Sequence, residues 1–258
     1  MIKLSKKIHR WEAECMQNEL KIIEYKCIGS TNAEAKRYAI ETESRTPVLF
    51  VAREQSAGRG RLGRSFYSSL SGGIYMSLLY FTDSALSDAV SVTTAAAAFT
   101  ATAIEKVTGK EMKIKWVNDI YNERGKVAGI LTETVSVGDS TAVVVGIGIN
   151  TGEDSFPTEL VGIASSIGVI SEEQRGKVME LITDALLTHA NFPQSREYMA
   201  DYRARFMLSG KEVNLLRADE VITHGVVLGV TDDGGLIFRR DGSTDREIIH
   251  TGEVSVRA

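Results

Sequence analysis

After Leu208, Ser209 and Gly210 the hydrophobic period of the chain changes, and this change limits the possible folds more than any other feature. Before it, Val178, Leu181, Ile182, Ala185 and Leu186 recur at the spacing of one helix face, so a packed helix is expected over 178–189. Beyond it, KEVNLLRA, VITHGVVLGV, LIFRR and EIIHTGEVSVR are short β-branched runs separated by the turn sequences DDGG and DGS. Residues 208–258 are therefore expected to form a small β-barrel appended to a larger domain over 1–207.

That larger part has a mixed α/β pattern. In STNAEAKRYA, Thr31 is placed to cap a helix, with Glu34 completing a capping box. VLFVARE (48–54) and GGIYMSLLYF (72–81) are expected strands, and the alanine-rich stretch 86–108, closed by Gly109, is an expected long helix. KIKWVN, DIYNE, KVAGILTETVSV and TAVVVGIGIN predict further strands, with turns at ERGK and VGDS, and another helix is expected over 195–207.

SAGRGRLGRSFYS (56–68) joins two of these strands. Its glycines let backbone N–H groups approach a ligand, while Arg59, Arg61 and Arg64 offer forked donors that match carboxylate or phosphate oxygens. An anionic ligand is implied. The formal net charge of the chain is −4, so there is no global positive field for nucleic acid or membrane, and any anion site must be local. A second cluster, KIKWVNDIYNERGKVAGIL, gathers Lys115, Trp116, Asn118, Asp119 and Lys126 on or beside strands. In VVVGIGINTG the spacing departs from a dinucleotide fingerprint, so Gly146 and Gly148 are better read as room for a flat ligand or another backbone, with Asn150 at the strand's end. His9, His189, His224 and His250 share no metal-ligand spacing, and no metal site is expected. Cys15 and Cys27 form neither a redox motif nor a disulfide scaffold. With no signal-peptide h-region and no membrane-spanning apolar run, a cytoplasmic location is expected.

Taken together, STN (30–32), QSAGRGRLGR (55–64), KWVND (115–119), GKVAGIL (125–131) and VGIGIN (145–150) resemble the bacterial biotin protein ligases, in that family's order. The resemblance covers roughly residues 25–257. It implies an α+β fold: a class II synthetase-like catalytic domain, a mixed sheet flanked by helices, followed by an SH3-like barrel. It also implies a two-step reaction in which biotin and MgATP give biotinyl-5′-AMP and pyrophosphate, and a lysine of a biotin carboxyl carrier domain then takes the biotinyl group.

By this resemblance the catalytic residues are Lys126, Arg61 and Asp119. Biotin is held by Ser30, Thr31, Asn32, Gln55, Gly58, Arg59, Arg61, Lys126, Gly129, Leu131, Gly146 and Gly148. ATP and the adenylate are held by Arg59, Arg61, Arg64, Trp116, Asn118, Lys126 and Asn150. Val117 stands where the family often has proline, and residues 151–168 contain Phe156 but no tryptophan to cover adenine. Only 29 residues precede Ser30, too few for the winged helix of the repressor members, so no nucleic-acid partner is expected. A monomer or homodimer with no membrane partner is expected. The competing readings are a lipoate or octanoate ligase, which would need no polar end for a ureido ring, and a biotin or nucleotide sensor without transferase activity.

Overall fold

The computed structural model describes residues 20–64, 66–67, 73–82, 89–154, 156–217, 220–250 and 254–257. The basic start of the chain, His9, Cys15 and the first turn of the predicted helix over 86–108 lie outside them.

Seven strands form one sheet: β1 (Lys21–Ile28), β2 (Val48–Gln55), β3 (Gly73–Thr82), β4 (Lys113–Lys115), β5 (Asp119–Tyr121), β6 (Lys126–Val137) and β7 (Ser140–Asn150). Their order is β1-β2-β3-β7-β6-β5-β4, with β1 parallel to β2 and every other pair antiparallel. β1 was not foreseen. It is an edge strand in which Lys21, Glu24 and Lys26 interrupt the apolar pattern, and parallel pairing to β2 is what orders it.

Side chains alternate across a strand, and here the alternation separates two cores. Val48, Phe50, Leu79, Ala142 and Val144 face α1 (Thr31–Glu41), which contributes Ala35 and Ala39. Leu49, Val51, Met76, Leu78, Val143 and Val145 point the other way, into a larger core with α2 (Ala89–Thr108), α3 (Glu172–Asn191) and α4 (Tyr198–Arg205). Each fully buried aliphatic or aromatic side chain contributes roughly 1.5–3 kcal/mol through burial. α2 is buried over most of its circumference, consistent with its alanine-rich sequence.

Two local expectations are corrected. The N-cap of α1 is Ser30, with extended backbone (φ −158°, ψ 131°) and its hydroxyl accepting from Ala33 N. Thr31 is already helical, and its hydroxyl faces Gln55 and Ser77 instead; Glu34 is committed to Tyr25 and Arg37. The helix expected over 195–207 is confined to 198–205, because Met207 N turns to donate to Ile114 O beside β4.

Past Leu208 a second, five-stranded antiparallel sheet contains β8 (Glu212–Arg217), β9 (Glu220–Val230), β10 (Leu236–Arg240), β11 (Glu247–Ile249) and β12 (Val254–Arg257). Its order is β11-β10-β9-β8-β12. The run EIIHTGEVSVR, read as one strand, is split into β11 and β12 on opposite edges. This unit meets the larger one through the β9–β10 turn, where Trp116 Nε1 donates to Gly234 O at 2.9 Å and Arg203 pairs with Asp232.

Candidate active site

Beyond the small core under α1, β6 and β7 lose side chains on the α1 face of the sheet. Gly146 and Gly148 follow Ala142 and Val144 at period two, and Gly129 lies opposite Gly148 in the β6–β7 register. Leu131 pairs with Gly146, and on the other side Ser77 pairs with Gly146 and Tyr75 with Gly148. The result is a cavity of about 420 Å³.

The glycines admit side chains rather than backbone. A Cβ at Gly146 would come 1.9 Å from Asn32 Oδ1, and one at Gly148 would come 2.7 Å from the Phe66 ring. Phe66 also approaches Gly129, packs edge-on against Tyr75, and lies 5.9 Å from Lys126 Nζ.

One end of the cavity is neutral and polar. Ser30, Thr31, Asn32 and Gln55 line it, and Gln55 Oε1 accepts from Thr31 N at 2.8 Å and Thr31 Oγ1 at 3.1 Å. The other end is charged. Lys126 Nζ lies 2.6 Å from Asp119 Oδ1, an ion pair whose alignment falls short of a hydrogen bond. Asn118 is fixed by its Nδ2 donating to Ile130 O, and its Oδ1 accepts from Arg61 at 3.3 Å.

The glycine-arginine loop is anchored at its start, where Ser56 N and Ala57 N donate to Ile28 O and Gly29 O. It folds back on itself through Gly60 N to Arg64 O and Phe66 N to Gly58 O, with a tight turn at Arg61–Gly63 in which Gly63 has φ 75°. That positive φ suits glycine. Burial pulls the Arg61 guanidinium below its ordinary pKa, Asp119 opposes the shift and Arg64 adds to it; arginine nevertheless stays charged at physiological pH. Burial, assisted by Asp119, pushes Tyr121 up to about 12, and the same two causes raise Tyr202, so both phenols stay protonated at neutral pH.

Of the residues singled out in the sequence, Ser30, Thr31, Asn32, Gln55, Arg59, Arg61, Arg64, Lys115, Trp116, Asn118, Asp119, Lys126, Gly129, Leu131, Gly146 and Gly148 line this one cavity. Gly58 and Asn150 do not. Gly58 is taken up by the loop's own fold-back, where a Cβ would strike Phe66 O at 2.7 Å. Asn150 is buried, with its amide donating to Ser165 O. The Trp116–Val117 peptide is cis, without a proline.

Sequence reasoning missed Phe66, Tyr121, Ile163 and Leu216, which also line the cavity. Phe66 was within the quoted loop, and the empty faces of Gly129 and Gly148 were the signal that something would fill them. Leu216 comes from β8, and no local pattern announces that contact.

Comparison with known proteins agrees with this architecture. Residues 24–150 match the Biotin/lipoate A/B protein ligase family, and residues 208–257 match the Biotin protein ligase C terminal domain. The chain is similar to the bifunctional ligase/repressor BirA of Bacillus spizizenii, 38% identical over 221 residues that cover 82% of this chain and 67% of that protein. It is 31% identical to the biotin–[acetyl-CoA-carboxylase] ligase of Paracoccus denitrificans, covering 87% of this chain and 96% of that one. Among solved structures, a biotin protein ligase from Aquifex aeolicus in complex with biotin and ATP superposes with a TM-score of 0.74 at 27% identity, covering 92% of this chain and 98% of that chain. The expected fold was a mixed sheet flanked by helices and followed by a small SH3-like β-barrel; a seven-stranded mixed sheet with helices and a separate small antiparallel sheet are observed, as in the biotin protein ligase neighbour. With relatives above 30% identity matched over two thirds or more of their length, the chain belongs to the biotin protein ligase family.

Proposed function

We propose that this chain activates biotin with ATP to biotinyl-5′-AMP and passes the biotinyl group to a lysine of a biotin carboxyl carrier domain, with both steps in the single cavity. The observation that carries this is the convergence of Arg61, Lys126 and Asp119 at one end of a cavity whose other end is Ser30, Thr31 and Gln55. A ureido ring suits the neutral end, and a valerate carboxylate then reaches toward the cations.

In the first step a carboxylate oxygen of biotin attacks the α-phosphorus of ATP and the bond to pyrophosphate breaks. Two unit negative charges 4 Å apart repel by about 4 kcal/mol at an effective dielectric of 20. Lys126 and Arg61 offset this repulsion, and they act most strongly on the charge that builds on the phosphoryl oxygens in the transition state. Arg59, Arg64, Trp116 and Asn118 flank the nucleotide, while Asn32, Gly129, Leu131, Gly146 and Gly148 shape the biotin side.

Magnesium enters as the counter-ion of the ATP phosphates. Asp119 is the only carboxylate lining the cavity among the described residues, which suits an ion that keeps several waters and is held mainly by phosphate.

In the second step the carrier lysine nitrogen attacks the acyl carbon, the acyl–phosphate bond breaks, and AMP leaves. A lysine with an ordinary pKa of about 10.4 is almost wholly protonated at neutral pH, so its proton must be taken. Asp119 is suited to accept it once Lys126 has turned from that carboxylate to the adenylate. The loop over the cavity shields the mixed anhydride from water until the carrier docks. Its ATP supply and an exposed thiol at Cys27 suit the enzyme to a reducing cytoplasm.

Mixing the chain with biotin, MgATP and an apo carrier domain should label the carrier with one biotinyl group, read by mass spectrometry. Tight biotin binding without labelling would favour a sensor. Pyrophosphate exchange stimulated by lipoate and not by biotin would favour a lipoate ligase.

A further inference from the structure

Residues 116–118 form the turn between β4 and β5, which pair through Lys115 and Asp119. A turn has no ladder partner of its own, so its polar groups must be satisfied from elsewhere. Here each of its residues is tied to a different element. Trp116 Nε1 donates to Gly234 O of the small β-unit. Asn118 Nδ2 donates to Ile130 O on β6, and Asn118 O accepts from Ile130 N at 3.0 Å. Between them, Val117 O accepts from the Tyr202 hydroxyl of α4 at 3.2 Å.

No step above uses Tyr202. It has no exposed surface, and its ring stacks on Phe206 with 6.2 Å between centroids. A phenylalanine would fill the same space. A buried hydroxyl is tolerated where it is hydrogen-bonded, and the partner of this one is the middle carbonyl of the turn. Burial, with Asp119 assisting, keeps the phenol protonated, so it donates throughout the neutral range.

What the turn carries gives that bond its consequence. Asn118, its last residue, accepts from Arg61 at 3.3 Å, and Asp119, the next, pairs with Lys126 at 2.6 Å. The Val117 carbonyl and the Asn118 nitrogen belong to one planar peptide group, so a donor that fixes the carbonyl also fixes the direction in which the chain enters Asn118. Among the described residues, α4 contributes no side chain to the cavity lining, yet it holds the turn on which the charged end is built.

We infer that Tyr202 is a positioning residue for adenylation: its hydroxyl holds the 116–118 turn so that Asn118 meets Arg61, and Asp119 meets Lys126, at the charged end of the cavity. The inference rests on the proposed biotin ligase activity. Tyr202 touches no ligand and acts through Val117 O.

Tyr198 supplies the comparison. It lies one turn earlier on α4 and is also buried, but its hydroxyl is 2.8 Å from Ser91 Oγ and 3.1 Å from Ser91 O, on α2. Tyr202→Phe and Tyr198→Phe therefore each delete one buried hydroxyl from the same helix, and the first alone deletes the bond to Val117 O.

The test is biotin-dependent ATP–pyrophosphate exchange by the full chain. Tyr202→Phe should lower kcat about tenfold, the rate equivalent of one buried hydrogen bond, with the KM for biotin kept within about twofold because other residues build the neutral end. Tyr198→Phe should keep kcat within about twofold, although urea unfolding should show both variants to be less stable than the parent. Phe206→Leu keeps the hydroxyl and loosens the ring beside it, and should lower kcat by less than Tyr202→Phe. Should Tyr202→Phe not fold, Phe206→Leu carries the test, and there an unchanged kcat overturns the inference. A Tyr202→Phe kcat within about twofold of the parent, or equal losses in the two tyrosine variants, would reduce Tyr202 to scaffolding and overturn it as well. A parent chain with no biotin-dependent exchange would instead overturn the proposed activity, a separate result.

Discussion

The two ends of the cavity are built on opposite principles. At the neutral end Ser30, Thr31, Asn32 and Ser77 are buried and sit on a helix start and a central strand, with Ser77 bonded to both Thr31 and Asn32. At the charged end Lys126 and Asp119 keep 28% and 25% of their side-chain surface exposed, and Arg61 lies on a loop. Recognition of a neutral ring needs donors and acceptors fixed in advance, since a buried polar group left unpaired costs about 1–3 kcal/mol. Chemistry between anions needs cations that can change partner. In the structure Lys126 is paired with Asp119, and under the proposed mechanism an incoming anion gives it a second claimant.

The sharpest way to break this comparison is to remove Lys126. Lys126→Ala should lower the rate of biotin-dependent pyrophosphate exchange by about 10²-fold or more, the scale of one lost transition-state donor. Biotin binding measured by calorimetry should weaken much less, because the neutral end is untouched. Equal losses in both would mean that the two ends are not separable.

Arg61→Gly should slow the bond-making step, to which Arg61 lends a cation, and should in addition weaken retention of the intermediate. It deletes the contact to Asn118, which joins the loop to the segment between β4 and β5. Biotinyl-5′-AMP should then escape and label lysines of a bystander protein such as serum albumin, detected by streptavidin blotting. A variant that still labels only the carrier would show that the loop is not the seal.

Much of the charged end was legible because its residues lie in short runs: Arg59, Arg61 and Arg64 in one loop, and Lys115 to Lys126 on neighbouring strands. The neutral end was less so. Ser77 is an ordinary serine in an apolar strand, and only the register that sets it beside Gly146, with α1 overhead, gives it a role. Glu133, which accepts from Asn32, lies 101 residues away from it, and no periodicity connects them. Strand and helix identities followed from hydrophobic period, whereas β1, the Ser30 cap and the division into β11 and β12 depended on which element each segment meets. Asn150 shows the converse: a strand-end amide that looked ligand-facing is used to hold the 165 segment.

Among the described residues, the small β-unit reaches the cavity lining through Trp116 to Gly234 and through Leu216. Trp116→Phe removes that buried N–H and leaves the Gly234 carbonyl without it. Urea unfolding should show a loss of about 1–2 kcal/mol. The KM for ATP should rise more than the KM for biotin. A larger effect on biotin would place the influence of the β-unit at the wrong end.

The smallest expected effect tests how firmly α1 holds the neutral end. Glu34, in the first turn of α1, accepts from Arg37 and from the Tyr25 hydroxyl. The Arg37 hydrogen bond is the main cause that holds its carboxyl below the ordinary value of 4.5, burial opposes it, and Tyr25 assists. A carboxyl with a lowered folded pKa stabilises the fold above its unfolded value, and that contribution is lost as the pH falls through the folded one. Glu34→Gln should therefore be less stable than the parent at pH 7 by under about 1 kcal/mol, since Arg37 is exposed and its pairing is screened by solvent. The difference should close progressively below pH 4.5. Thermal melts of both chains from pH 7 to pH 3 measure it, and a gap that widened in acid would mean that Glu34 is more easily protonated in the folded chain than in the unfolded one.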